Sequence, residues 1–256
     1  MKIGLMGAMP EEIDSLREMM VEPVLVQHGS RQYYSGKMNG FDVVLVFSRW
    51  GKVAAASCVT ALITEFNVDR VLFMGVAGAV AGHLNIGDVV ISETLYQHDM
   101  DASPLFDKHV IPLAELTFFA ADKSMVSCAE SSVDAFLSNI GKALAENTLQ
   151  EFHIQSPKCE RGVIASGDQF VSSVEATQAI LTDQPQTLVV EMEGAAVAQV
   201  CHEYAIPFVV IRTVSDCANH AAHIDFPSFI RDVAQLYSQC IVLRFFEKWA
   251  VMASAC

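Results

Sequence analysis

The sequence predicts one α/β domain over residues 1–256, built on a largely parallel or mixed sheet. Three observations point there. Short apolar runs of strand length alternate with helical stretches along the whole chain. Apolar residues make up 52% of the sequence and charged residues only 18%, enough to build a large single core. No internal repeat, low-complexity segment or Pro/Gly/Ser linker divides the chain.

The elements follow in order. Lys2–Ala8 (KIGLMGA) is a first buried strand, and Pro10, Glu11 and Glu12 suit the first turn of a helix whose inward face is Ile13, Leu16, Met19 and Met20. Glu12 thus stands at a strand-to-helix junction, where it either complements the helix dipole or faces a site. Asn39-Gly40 lies between two strand-like runs and favours a tight hairpin turn. After Arg49-Trp50-Gly51-Lys52 comes an Ala-rich helix. The strand Val68–Phe73 then runs into Gly75-Val76-Ala77-Gly78-Ala79, a small-residue loop at which a backbone can approach a ligand closely. It matches neither the dinucleotide fingerprint nor the phosphate loop of nucleotide hydrolases.

Asn85–Asp88 turns into the strand Val89–Ser92. Residues 96–113 carry His98, Asp99 and Asp101, which read as a solvated or interface loop more readily than as a metal cluster, since no further ligand pair lies at a typical spacing. A helix is expected over about 121–145 and a variable surface connection over about 142–158. Arg161–Ala165 is a short strand, and Ser166–Val171 a polar turn whose Phe170 suits either a core or a stack on a planar ring. A helix over about 172–182 leads to the stretch Thr187–Asn219, which reads strand, helix, strand. Glu191, Met192 and Glu193 end its first strand. Arg212 ends its second, followed by Ser215-Asp216. Strand ends of open α/β sheets are where ligand sites form. The last helix buries a stripe of Phe226, Phe229, Ile230, Val233, Tyr237, Cys240 and Ile241.

Composition narrows the function. A net charge of −14 disfavours nucleic acid and anionic membranes as partners. No apolar run reaches the ~18–20 residues of a spanning helix, and the N-terminus lacks a secretory signal, so a cytoplasmic protein is expected. The 7 cysteines are scattered singly and read as buried, reduced thiols. The nucleophile elbow of serine hydrolases and the zinc motif H-E-x-x-H are both absent from the sequence. What remains is acid–base work by carboxylates, with Arg212 as a positioning or electrostatic group. Cleavage of a glycosidic bond, which needs one carboxylic acid and one carboxylate, is one chemistry that fits.

The segments KIGLMGAMPEEI, GVAGAV, SGDQFV, VVEMEGAAVAQVC and PFVVIRTVSDCAN together resemble the 5′-methylthioadenosine/S-adenosylhomocysteine nucleosidases of the nucleoside phosphorylase superfamily. The resemblance holds in order and spacing over nearly the whole chain and is weakest over residues 100–120 and 142–160. It implies a three-layer α/β/α fold with a central mixed sheet, a homodimer, and neither metal nor organic cofactor. It also implies hydrolysis of the N-glycosidic bond between adenine and a 5′-thioribose. By matching position, Glu12 is the general base on water and Asp216 the general acid at adenine N7, oriented by Ser215. Glu193 holds the ribose hydroxyls beside the Met192 backbone, and Arg212 contacts the water and ribose region. Phe170 stacks on adenine, the Val171 backbone reads its edge, and Gly78 belongs to the close-approach loop. Met9, Trp50 and Phe226 line the pocket for the 5′ tail, joined by Leu105 or Phe106 of a second subunit. An ionised Glu193 would stabilise the cationic ribosyl transition state, and Asp216 would need a pKa well above the ~3.9 of a free aspartic acid.

Three positions depart from the family pattern. Val76 replaces a frequent hydroxyl residue, Trp50 replaces a smaller aliphatic, and the loop around residues 100–120 is altered. The alternatives implied are hydrolysis of 6-amino-6-deoxyfutalosine and a non-catalytic sensor of adenosine derivatives. A phosphorylase would need a cationic pocket, for which only Arg212, Arg49 and Lys52 are donors.

Overall fold

A computed structural model describes residues 1–217 and 222–254. Asn219, at the end of the stretch singled out above, lies outside the described residues. The first half of the chain runs β1 (Lys2–Gly7), α1 (Pro10–Glu18), β2 (Val21–His28), β3 (Arg31–Met38), β4 (Phe41–Phe47), α2 (Lys52–Thr64), β5 (Arg70–Ala79), β6 (Val89–Gln97) and β7 (Phe119–Ala120). The second half runs α3 (Lys123–Leu137), α4 (Ile140–Ala143), α5 (Glu146–Glu151), β8 (Cys159–Ser166), α6 (Val174–Asp183), β9 (Thr187–Glu191), α7 (Gly194–Glu203), β10 (Phe208–Asp216) and α8 (Ala222–Phe229). A π turn over Ile230–Ala234 then leads into α9 (Gln235–Ser254).

The strands form one mixed sheet, as the alternating pattern predicts. β1 pairs in parallel with β4 and β5, β5 with β10, and β8 with β6 and β9. The hairpins β2–β3 and β3–β4 are antiparallel, as are β6–β10 and β5–β9. β5 pairs with β10 over most of its length and with β9 only at Gly78 and Ala79, so the circuit β5–β10–β6–β8–β9 closes on itself. The ends of β5, β9 and β10 therefore converge at one place.

Alternation along the strands decides which residues meet which helices. Leu72 and Met74 pack with residues of α1, α3 and α9, whereas Val71 and Phe73 pack with residues of α2 and α7 on the other face. Helices thus cover both faces of the sheet. Asn39 and Gly40 both take positive φ, +48° and +86°, at the β3–β4 turn, the conformation a two-residue hairpin requires. Among the described residues no helix is long and apolar enough to cross a membrane.

Several expectations need correction. Gly75–Ala79 is not a loop but the second half of β5, held by β10 on one side and β9 at its tip. Arg212 does not end its strand, since β10 continues to Asp216. The helix foreseen over 121–145 breaks at Ser138-Asn139, whose side chains bond back to the carbonyls of Asp134 and Ala135 and compete with the helical pattern. β2 was not foreseen. It is a largely exposed edge strand with Pro23 inside a register shift, so it shows little alternation. Cys217 is exposed, unlike the buried Cys58, Cys128 and Cys201.

Candidate active site

A cavity of ≈ 370 Å³ opens where β5, β9 and β10 converge. Met9, Trp50, Gly78, Phe170, Val171, Met192, Glu193, Ser215, Asp216 and Phe226 line it, together with Val76 and Glu191. These include every sequence-predicted site residue except Glu12 and Arg212, which are both fully buried and are not on its wall. The structure thus brings together residues from the first turn, the middle and the last third of the chain.

Ser215 and Asp216 both face the cavity although neighbours in a regular strand face opposite sides. The reason is a β-bulge. Val214 pairs with Ala77 and Asp216 with Gly78, leaving Ser215 as the extra residue. The Ser215 hydroxyl lies 2.8 Å from Asp216 Oδ2 and 3.3 Å from the carbonyl oxygen of Ala77. A hydroxyl has one proton to give. It can therefore donate to only one of these two acceptors at a time, and the contact to Asp216 is the shorter.

Glu191 and Glu193 differ sharply in their partners. Glu191 accepts from the Ser166 hydroxyl, from the N–H groups of Glu193 and Gly194 at 3.1 and 2.9 Å, and from Arg212 Nε and Nη2 at 3.2 and 2.7 Å. It therefore closes the N-terminus of α7 and holds the buried guanidinium. Arg212 also donates to the carbonyls of Phe73 and Ile211 and lies 4.1 Å from the Phe73 ring centroid. The resemblance gives Arg212 a contact to the water and ribose region; in the structure its guanidinium lies behind the cavity, on Glu191. Gly75 makes room for it: a Cβ there would stand 3.0 Å from Arg212 Nη1. Glu193 receives the N–H of Gly51 at 2.8 Å on Oε1. Burial, reinforced by the neighbouring Glu191 charge, pushes its carboxyl up to about 8, with the Gly51 N–H and Arg212 opposing.

Glu12 sits in the first turn of α1. Its Oε2 accepts the N–H groups of Ala8 and Met9 at 3.1 and 3.0 Å, and its Oε1 accepts the Ser238 hydroxyl from α9 at 2.7 Å. Glu12 caps the helix, and its carboxylate lies just behind the Ala8–Met9 backbone of the cavity wall. Burial raises its pKa, while Ser238, Arg212 and the two backbone groups oppose the shift. Oε1 keeps one acceptor position beside Ser238.

Two segments over the cavity are tied together by residues that sequence reasoning left aside. The Lys52 N–H donates to Asp168 Oδ1 at 2.8 Å, and Lys52 Nζ donates to Asp99 Oδ1 at 2.6 Å and Gln97 Oε1 at 2.9 Å. The Asp168 N–H donates to Asp99 Oδ2 at 2.9 Å. This clamp joins the Trp50–Lys52 turn to the Asp168–Val171 turn, and so fixes Gly51 against Glu193. Gly51 has φ +89°, and a Cβ there would lie 3.0 Å from Asp168. Asp99 is thus engaged by Lys52 and only partly exposed. Among the described residues no three His, Cys, Asp or Glu side chains group as metal ligands. Phe170 and Phe226 meet edge to face, 6.0 Å between centroids, and Trp50 Nε1 donates to the carbonyl of Ala8 at 3.0 Å. The signals that could have found the clamp were faint: two acids in a loop, and a lysine after a glycine.

The family model described as the phosphorylase superfamily matches residues 2–247. A curated 5′-methylthioadenosine/S-adenosylhomocysteine nucleosidase from Haemophilus influenzae (strain PittEE) is 36% identical over 249 residues, covering 97% of this chain and 100% of that protein. Among solved structures, the nucleosidase of the same description from Neisseria meningitidis, in complex with methylthio-immucillin-A, is similar with a TM-score of 0.84 and 34% identity, over 95% of this chain and 97% of the other. That of S. pneumoniae, bound to a transition-state inhibitor, gives 0.83 and 35% over 97% and 100%.

Proposed function

From its membership in the 5′-methylthioadenosine/S-adenosylhomocysteine nucleosidase family of the phosphorylase superfamily, to which the chain belongs, we propose how this site works. The protein hydrolyses the N-glycosidic bond of 5′-methylthioadenosine and S-adenosylhomocysteine, releasing adenine and the thioribose, a step of methionine salvage. The observation that carries the reading is the separation of carboxylates around one largely apolar cavity. Asp216 sits on a hydroxyl at one part of the wall, Glu193 on a backbone N–H at another, and Glu12 just behind.

Each group has a task that its surroundings suit. Adenine lies between Phe170 and the β10 end, its edge toward the Val171 backbone, with Asp216 protonating N7. Protonation turns adenine into a neutral leaving group. The ribose lies over Met192 and Glu193, whose carboxylate takes the hydroxyls and faces the developing ribosyl cation. Glu12, made more basic by burial, activates water through the open acceptor position on Oε1. Gly78 lets the β5 backbone approach the ligand, and Arg212 acts through Glu191, which it holds at the base of the site. Met9, Trp50 and Phe226 receive the 5′ tail. The same reading takes the protein as a cytoplasmic homodimer. Leu105 and Leu113 expose 84% and 89% of their surface in the segment that the resemblance brings to a partner's pocket.

The test is direct. Purified protein incubated with 5′-methylthioadenosine in phosphate-free buffer should release adenine, seen by chromatography, at a rate that added phosphate leaves unchanged. Binding without adenine release would make it a sensor, and strict dependence on phosphate a phosphorylase. Faster turnover of 6-amino-6-deoxyfutalosine would shift the substrate assignment.

A further inference from the structure

One buried hydroxyl interrupts the apolar inward face of α9. Val233-Ala234, Tyr237-Ser238 and Ile241-Val242 are buried in pairs four residues apart, and Ser238 exposes only 1% of its surface. Four residues of α-helix turn through about 400°, so each pair drifts about 40° from the one before. The π turn takes up part of that drift, since the Gln235 N–H bonds to the carbonyl of Ile230, five residues back. Ser238, just beyond it, stays on the inward face.

A buried serine in a helix has a ready partner in the carbonyl four residues back. Ser132, also buried, takes that partner in α3 and bonds to the Cys128 carbonyl at 2.7 Å. Ser238 uses its one proton differently. It donates to Glu12 Oε1 at 2.7 Å, across 226 residues of sequence. Its two chain neighbours lock the same turn in place. Tyr237 Oη donates to the Gly87 carbonyl at 3.1 Å, and Gln239 Nε2 donates to the Ser15 carbonyl of α1 at 3.1 Å. Consecutive side chains of α9 therefore fix this turn against α1 and against the turn before β6.

The last torsion of a glutamate side chain is broad and sets no orientation by itself. The N–H groups of Ala8 and Met9 hold Oε2 only. Ser238 holds the other oxygen, and donors on both oxygens fix the carboxylate plane. We propose that Ser238 is a positioning residue for the general base: it sets the plane of the Glu12 carboxylate and so aims the open acceptor position of Oε1 at the attacking water. The inference rests on the reading of Glu12 given above and deepens it. Ser238 is not on the cavity wall, so it acts through Glu12 and not on the substrate. Without the hydroxyl, Oε1 keeps its charge but loses its direction, and a small misplacement of a reacting group slows the step steeply.

The experiment is a double-mutant cycle with Glu12→Gln, read by kcat and KM for 5′-methylthioadenosine and by Tm. Ser238→Ala lowers kcat about tenfold, the order of one hydrogen bond to a charged group, and leaves KM unchanged. In the Glu12→Gln background, where no base is left to aim, Ser238→Ala lowers kcat no further, although Tm falls in both backgrounds. A merely structural serine would lower Tm in the same way, but its effect on rate would multiply with that of Glu12→Gln. That multiplication, a near-wild-type kcat in Ser238→Ala, or a loss of activity carried by KM overturns the proposal and leaves Glu12 as the base. A Glu12→Gln protein as active as wild type overturns the reading of Glu12 itself.

Discussion

Replacing Glu193 by glutamine should make the protein more stable and much less active at once. The Gln carbonyl can still accept the Gly51 N–H, so the substitution removes charge and little else. Burial and the neighbouring Glu191 place the folded carboxyl at about 8, against 4.5 for the unperturbed group. Below the lower value both folded and unfolded chains hold the proton, and wild type and variant differ little. Between the two values the unfolded chain ionises and the folded chain does not, so wild type loses stability as pH rises. Above the upper value the loss levels off. At 1.36 kcal/mol per unit, the cost near neutrality is ~3 kcal/mol, which for a chain of this size means a Tm higher in the variant by roughly 5–10 °C. Thermal melts of both proteins at pH 4.5 and pH 8 should show curves that coincide at the first and separate at the second. In the same preparations kcat/KM for adenine release should fall by ~100-fold or more, as when one preorganised electrostatic partner of a transition state is lost. A variant melting no higher than wild type at pH 8 would refute the assignment of a costly buried charge. A gain of equal size at both pH values would show that packing, not ionisation, is responsible.

Three further outcomes follow from the geometry. Asp216→Asn should lose ~100-fold or more in kcat with little change in KM, since it removes a proton donor but not the wall of the pocket; single-turnover release of adenine measures it, and a near-wild-type rate would remove Asp216 from the acid role. Lys52→Met should raise KM by about tenfold, because the clamp on Asp99 and Asp168 holds both Gly51 and the Phe170 turn; a lower Tm with unaltered KM would mean that the clamp is structural only. Gly75→Ala puts a Cβ 2.8 Å from the Ala8 Cβ and 3.0 Å from Arg212 Nη1. Overpacking of that kind costs about 1–3 kcal/mol, readable as a lower midpoint in a urea melt, and an unchanged midpoint would show that Ala8 yields freely.

Much of this architecture was legible because apolar periodicity and the chemistry of acids at strand ends are local properties. Met192–Glu193 lies where an apolar strand meets a helix, and Asp216 ends one, so their places could be read residue by residue. Arg212 could not, because the apolar run stops at Ile211 while the strand does not. β5 and β6 supply ladder partners on both sides of β10, and tertiary pairing overrides the change of polarity. The bulge at Ser215 was equally invisible, since two consecutive polar residues look alike whether they alternate or share a face. Gly51 and Glu193 are 142 residues apart, and no pattern within either segment announces their hydrogen bond. The Asp99–Lys52 pair was missed for a related reason: an acidic loop reads as solvated until a cation from elsewhere in the chain is seen to fill it.

The distribution of one arginine among several acids explains why neighbouring carboxylates have different work. Arg212 is spent on Glu191, along with Ser166 and two N–H groups at the start of α7. Glu193, two residues on, has a backbone N–H but no direct ion pair, so its ionised form is poorly compensated and its carboxyl holds its proton more tightly while the pocket contains a neutral ligand. A ribosyl cation is then a far better neighbour for it than the uncharged nucleoside, and this difference between transition state and ground state is what lowers a barrier. The same arrangement disfavours phosphorolysis. With its guanidinium bound to Glu191 behind the wall, Arg212 is poorly placed to neutralise an incoming phosphate. Water needs no such neutralisation, which makes it the nucleophile this distribution of charge admits.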